Sequence, residues 1–122
     1  MGRVFVFIAA SFLVASDSVA RADERVDYLK EIKPLLREKC FACHGGLDQK
    51  AKLRLDTAKL MIKGGKRGPA IQPGSPERSL LIERITAKYE TERMPPEGPP
   101  LSAVQIAKLK AWIAQGATAP AN

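Results

Sequence analysis

Both cysteines and the only histidine of this chain fall inside five consecutive residues, Cys40-Phe41-Ala42-Cys43-His44. Two thiols about one helical turn apart, followed at once by an imidazole, form the spacing that attaches a c-type haem. The thiols reach the two vinyl groups and the imidazole reaches the iron. Three other chemistries draw on similar residues. Zinc takes four ligands, and with no further Cys or His the fourth would come from a carboxylate or water. A thioredoxin-like redox pair opens a helix after a strand in a βαβ pattern and has no need of His44. A structural disulfide is the third. Only the haem reading uses all three residues.

The N-terminus supplies a compartment in which thioether attachment is plausible. Met1-Gly2-Arg3 is a short positive start, residues 4–16 are an apolar run, and small residues follow from Ser18 to Ala22. This is the pattern of a secretory signal peptide over residues 1–22, cleaved after Ala22, with Ala20 as the second candidate. The apolar run is short for a bilayer span and meets the charged run Arg21-Ala22-Asp23-Glu24-Arg25 at once, so a retained anchor is the weaker reading. No cysteine adjoins either cleavage site, so no lipid anchor and no stable membrane attachment are expected.

Removing 22 of the 122 residues leaves residues 23–122 as one domain. A domain of about 100 residues is marginal for a protein-only core. A haem would enlarge that core with its own apolar surface, and its axial bonds would tie distant segments together. The whole chain has 20 basic and 13 acidic residues; without Arg3, Arg21 and Asp17, 18 and 12 remain, a charge of +6. The basic residues are spread along the sequence and read either as a solvated surface or as a face for acidic partners, which would act mainly on association rate. Nucleic acid is a poor third choice, because the basic stretches carry no interleaved aromatics.

Turn and cap residues outline an all-α chain. Pro34 suits a first helical turn, and the helix is expected to run through Leu35, Leu36 and Lys39 into Cys40 and Cys43 before Gly45-Gly46 ends it. Residues 25–32 stay open, since Val26, Leu29 and Ile32 fit a helix while Pro34 pushes Lys33 toward an extended conformation. Leu53 and Leu55 look briefly extended, and Asp56 is placed to cap a short helix from Thr57 to Lys63. Residues 64–76 hold four glycines and three prolines and predict a loop. Ser75-Pro76 then reads as the cap and first turn of a helix ending near Ala87. The last helix is the best marked, with Ser102 and Gln105 as a capping box, Leu101 and Ile106 as a staple, and Gly116 after its final turn. Its face of Ile106, Leu109 and Ile113, with Trp112 alongside, is expected to bury against the first helix.

Taken in order, I-x-P-L-L-x-x-x-C-F-A-C-H-G (Ile32 to Gly45), L-R-L-D (Leu53 to Asp56), G-G-K-R-G-P-A-I-Q-P-G-S-P (Gly64 to Pro76), S-L-L-I (Ser79 to Ile82), M-P-P (Met94 to Pro96), L-S (Leu101, Ser102) and W-I-x-x-G-A (Trp112 to Ala117) resemble the planctomycete-type cytochrome c domain over nearly all of residues 23–122. The resemblance implies a class I cytochrome c-like fold, with three to five helices around one covalently bound haem c. It also points to Met94 as the second axial ligand.

Within that frame Cys40 and Cys43 are the expected haem attachments and His44 the proximal ligand. Beyond the leader only Met61 and Met94 can offer a thioether. Met94 is preferred, because Pro95-Pro96 forbids helix and fixes the backbone that would present its sulfur, whereas Met61 sits between Leu60 and Ile62 as a core residue would. Trp112 reads as core before haem edge. Arg67 and Arg93 read as exposed loop arginines, with pairing to haem propionates as the second choice. The expected function is an exported, periplasmic monohaem electron carrier, not an enzyme, serving redox protein partners. The alternative is a ligand-binding or peroxidase-like haem protein with an open or displaceable sixth site.

Overall fold

The computed structural model describes Gly2 and residues 24–121. Apart from Gly2, the expected signal peptide and its cleavage sites at Ala20 and Ala22 lie outside the described residues. Among these residues the chain is helical with no strand, its only bridge pairs being His44–Gln49 and Gly65–Gly68. A π-helical turn, Tyr28–Ile32, leads directly into α1, Lys33–Lys39. There follow α2 (Ala58–Lys63), α3 (Leu80–Ile85) and α4 (Ala103–Ala114), with 3₁₀ turns at Lys50–Lys52 and Pro76–Arg78. No described helix is long and apolar enough to cross a membrane.

Residues 25–32, which the sequence leaves open, are resolved by the proline that follows them. Pro34 has no N–H to give and its ring crowds the carbonyl four residues back, so an ordinary α-turn is disfavoured there. The chain widens the turn instead, and the Lys33 N–H reaches Tyr28 O. Lys33 is helical at φ −58°, not extended as expected. Asp27 caps the turn by accepting the Lys30 N–H at 3.0 Å, while Glu31 accepts the Asp27 N–H at 2.8 Å.

The later helices differ from their expected starts wherever a second partner competes. Thr57, not Asp56, caps α2, accepting the Leu60 N–H at 3.1 Å. Asp56 is engaged by the Arg54 Nε–H at 2.9 Å, and that pairing holds its carboxyl below the usual range. The helix expected from Ser75-Pro76 is broken. Buried Ser79 donates to Ser75 O at 2.9 Å and accepts the Gln72 N–H at 3.0 Å, which ends the 3₁₀ turn and restarts the chain as α3. In α4 the capping box is present in full, with Gln105 N–H to Ser102 Oγ at 3.2 Å and Ser102 N–H to Gln105 Oε1 at 2.9 Å. Gly116, at φ +102°, turns the chain off that helix.

The apolar face of α4 packs on the π-helical turn and on α3, rather than chiefly on α1. Tyr28 and Trp112 stack with ring centroids 5.4 Å apart, among fully buried Ile32, Leu36, Leu109 and Ile113. The Trp112 indole N–H reaches Thr118 O at 3.0 Å, and the Val26 N–H reaches Gln115 Oε1 at 2.8 Å. Both ends of the domain are thereby joined. Met61 and Ile71 lie in the same core, fully buried.

Two stability contrasts follow. Trp112→Ala should cost about 3–5 kcal/mol through the void it leaves. Tyr28→Phe should cost nothing, or gain up to about 1 kcal/mol, because it keeps the stack and removes a buried hydroxyl with no hydrogen-bond partner among the described residues. Gly64 and Gly98 both have positive φ, +75° and +78°. A Cβ at Gly64 would overlap the Gly68 carbonyl, whereas at Gly98 it meets nothing. Gly64→Ala should therefore cost more than about 2 kcal/mol and Gly98→Ala only about 1. Urea denaturation midpoints of the four variants check both contrasts.

Candidate functional site

The Cys-x-x-Cys-His segment is not helical, contrary to expectation. Leu36 O accepts both the Cys40 and Phe41 N–H groups, and α1 stops at Lys39. A tight turn follows, in which Cys40 O accepts the N–H of Cys43 at 3.2 Å and of His44 at 2.9 Å. The carbonyls that would carry the helix onward are claimed from farther along the chain. Cys43 O takes the Lys50 N–H at 2.9 Å and His44 O the Leu55 N–H at 2.8 Å. Gly45 is required where the turn closes, since a Cβ there would stand 2.5 Å from Phe41 O. Phe41 packs partly on the core and Ala42 is exposed.

The turn brings Cys40, Cys43 and His44 to one wall of a cavity of about 350 Å³. The other lining residues come from four separate segments. Leu53 and Leu55 supply an apolar strip. Before them Ala51 and Lys52 both take left-handed φ, +56° and +55°, a strained pair for non-glycine residues. That strain is held by the Lys66 N–H on Ala51 O at 2.9 Å. Gly64 folds the next loop back so that the Ala70 N–H reaches Met61 O at 2.8 Å, which sets Ala70 in the wall and Met61 behind it. From α3 come Leu81, Arg84 and Ile85, and from the segment beyond it Met94, Pro95 and Pro96. Met94 is fixed to α3 by its N–H on Arg84 O at 3.0 Å.

Of the two candidate thioethers, Met94 lines the cavity and is 36% exposed, while Met61 is fully buried in the core and does not line it. Trp112 also lies in the core, away from the cavity lining. Arg67 lines the cavity; Arg93 does not, and sits 3.8 Å from Glu90. Sequence reasoning missed Arg84, because which side chain of α3 faces inward depends on a helix phase shifted by the break at Ser79.

The chemistry of these groups separates the competing readings. Burial pushes the Cys40 thiol up to about 11, so it stays a neutral thiol near pH 7. A redox-active cysteine needs the thiolate. No group of three or more His, Cys, Asp or Glu among the described residues could hold a metal, and the two cysteines are not joined as a disulfide. His44 Nδ1 is buried with no hydrogen-bond partner among the described residues, so no protein group there claims it. Two thiols, an uncommitted imidazole, a thioether and apolar walls fit a haem.

Comparison with protein-family models finds one family, Planctomycete cytochrome C, matching residues 40–98. The matched span begins at the first cysteine, ends just past the Met-Pro-Pro segment, and contains every residue lining the cavity except Lys39. No curated protein and no solved structure matches the chain. The motif, the cavity and the matched span coincide, so residues 40–98 are similar to the planctomycete cytochrome c domain.

Proposed function

We propose that this chain is an exported monohaem c-type cytochrome that carries electrons between redox proteins, with Cys40 and Cys43 as the covalent attachments and His44 and Met94 as the axial ligands. One observation carries the reading: residues far apart in sequence, His44 with its two cysteines and Met94, line a single apolar-walled cavity. When bound, the haem supplies one-electron chemistry at its iron. The residues of the chain set the conditions for it. Leu53, Leu55, Leu81 and Ile85 keep water from the cavity, and a thioether opposite an imidazole favours a high potential. The apolar run of residues 4–16 supports export.

The outer rim supports a choice of partner. Lys50, Lys66 and Arg67 all border the cavity and are exposed, against one carboxylate, Glu92. An acidic face on a redox partner would be steered to this rim, with an association rate that falls as salt rises. The exposure of Met94 favours a second reading, in which the sixth position is displaceable and binds small ligands.

Loss of both thiols, Cys40→Ser with Cys43→Ser, should abolish covalent haem retention and leave a chain with lower thermal stability. A double variant that retains haem through denaturing electrophoresis would contradict attachment through these two thiols. Met94→Ala should keep the haem but lose the weak far-red absorption of methionine-bound ferric iron, lower the potential, and let carbon monoxide bind the reduced form. Met61→Ala should leave those three observables unchanged and cost about 2–5 kcal/mol of stability. Ready carbon monoxide binding by the wild type, unaltered in Met94→Ala, would favour the second reading.

A further inference from the structure

Six lysines and arginines among the described residues are half-buried: Lys33, Lys39, Arg54, Arg84, Arg93 and Lys108. A cation withdrawn from water is ordinarily compensated by a carboxylate. Lys39, Arg54, Arg93 and Lys108 each have one within 4.0 Å, in Glu38, Asp56, Glu90 and Glu31. Lys33 has none that close but acts on the Asp56 carboxylate from farther away. Arg84 also has none within 4.0 Å. Its one protein contact is a long hydrogen bond from Nη1 to Glu92 O at 3.4 Å, and the side chain stands in the cavity wall.

We propose that Arg84 binds a propionate carboxylate of the haem; the assignment rests on the haem reading above. A guanidinium offers two parallel N–H donors to a carboxylate, and a half-buried one holds it more firmly than an exposed lysine. Lys50, Lys66 and Arg67, also on the wall, are exposed and already solvated, so they lack this reason to recruit a carboxylate. Arg84 has a second consequence for the site. Its own carbonyl holds the Met94 N–H at 3.0 Å, so the residue that receives the propionate also fixes the segment carrying the distal thioether.

The test is the reduction potential of the haem-loaded chain against pH, over roughly pH 5 to 8. The other charged groups on the cavity wall are Lys39, Lys50, Lys66, Arg67 and Glu92. With Arg84 in place the propionate is held ionised below the window and the wild-type potential is flat. Arg84→Leu and Arg84→Gln release it to titrate within the window. The potential then shifts downward as pH rises, because an ionised carboxylate beside the iron favours the ferric state. Arg84→Lys keeps the profile flat. A merely structural role would lower denaturation midpoints without bending the profile. Flat profiles in both Arg84→Leu and Arg84→Gln, with haem attached, overturn the pairing, as does a pH-dependent profile produced by Arg67→Gln but not by Arg84→Gln. A wild-type chain that retains no covalent haem instead overturns the haem reading on which the pairing rests.

Discussion

The stack of Tyr28 on Trp112 closes the domain, and every other feature depends on that closure. It joins the two ends of a chain whose nearby hydrogen bond, Val26 to Gln115, spans 89 positions. Closing a loop of that length costs about 4 kcal/mol of chain entropy. The stack itself contributes only about 0.5–1.5 kcal/mol beyond its buried area. The larger share comes from Ile32, Leu36, Leu109 and Ile113, each worth about 1.5–3 kcal/mol when fully buried. The end-to-end contact is therefore a small, dense core in its own right. It frees the intervening residues from having to pack on one another.

That freedom is spent on the cavity. Between the joined ends, α2 and α3 each run for only six residues, too short to be stable alone, and they are held by side contacts. The Gly74 N–H on Ile113 O at 2.7 Å and the Ala70 N–H on Met61 O at 2.8 Å hang the middle of the chain from the core by its backbone. The apolar residues divide accordingly. Met61, Ile71 and Leu109 lie in the core alone, while Leu81 and Ile85 belong to the core and also line the cavity.

What the sequence discloses about this arrangement depends on how local the deciding interaction is. The capping box of α4 lies within four residues, and the helix forms where Ser102 and Gln105 indicate. The start of α2 was misjudged by one residue, because Arg54 takes the Asp56 carboxylate and leaves the cap to Thr57. The end of α1 was misplaced for a less local reason. Nothing within Cys40–His44 shows that Lys50 and Leu55 will claim its carbonyls. The same holds for the site: the cysteine and histidine spacing was plain, and the preference for Met94 rested on two prolines, but Arg84 was invisible. Its inward direction is set by Ser79, a buried hydroxyl whose partners at Gln72 and Ser75 break the helix that Ser75-Pro76 announces.

The two walls of the cavity differ in how firmly they are held, and this bears on what the site can do. On the His44 side a run of backbone hydrogen bonds from Cys40 to Leu55 fixes the main chain that carries the imidazole. On the Met94 side the chain beyond α3 has no regular structure and meets the rest through the Met94 N–H on Arg84 O and the Arg84 side chain on Glu92 O. A carrier needs the same ligands in both oxidation states, since any exchange adds reorganisation to each transfer, whereas a ligand-binding site needs one position to open. Under the proposed ligation, with the His44 backbone held firmly, that choice would fall to the Met94 segment. The hydrogen bonds that tie this segment to α3 converge on Arg84, one residue of a six-residue helix, so the sequence around Arg84 would weigh on the balance as well as the Cys-x-x-Cys-His motif.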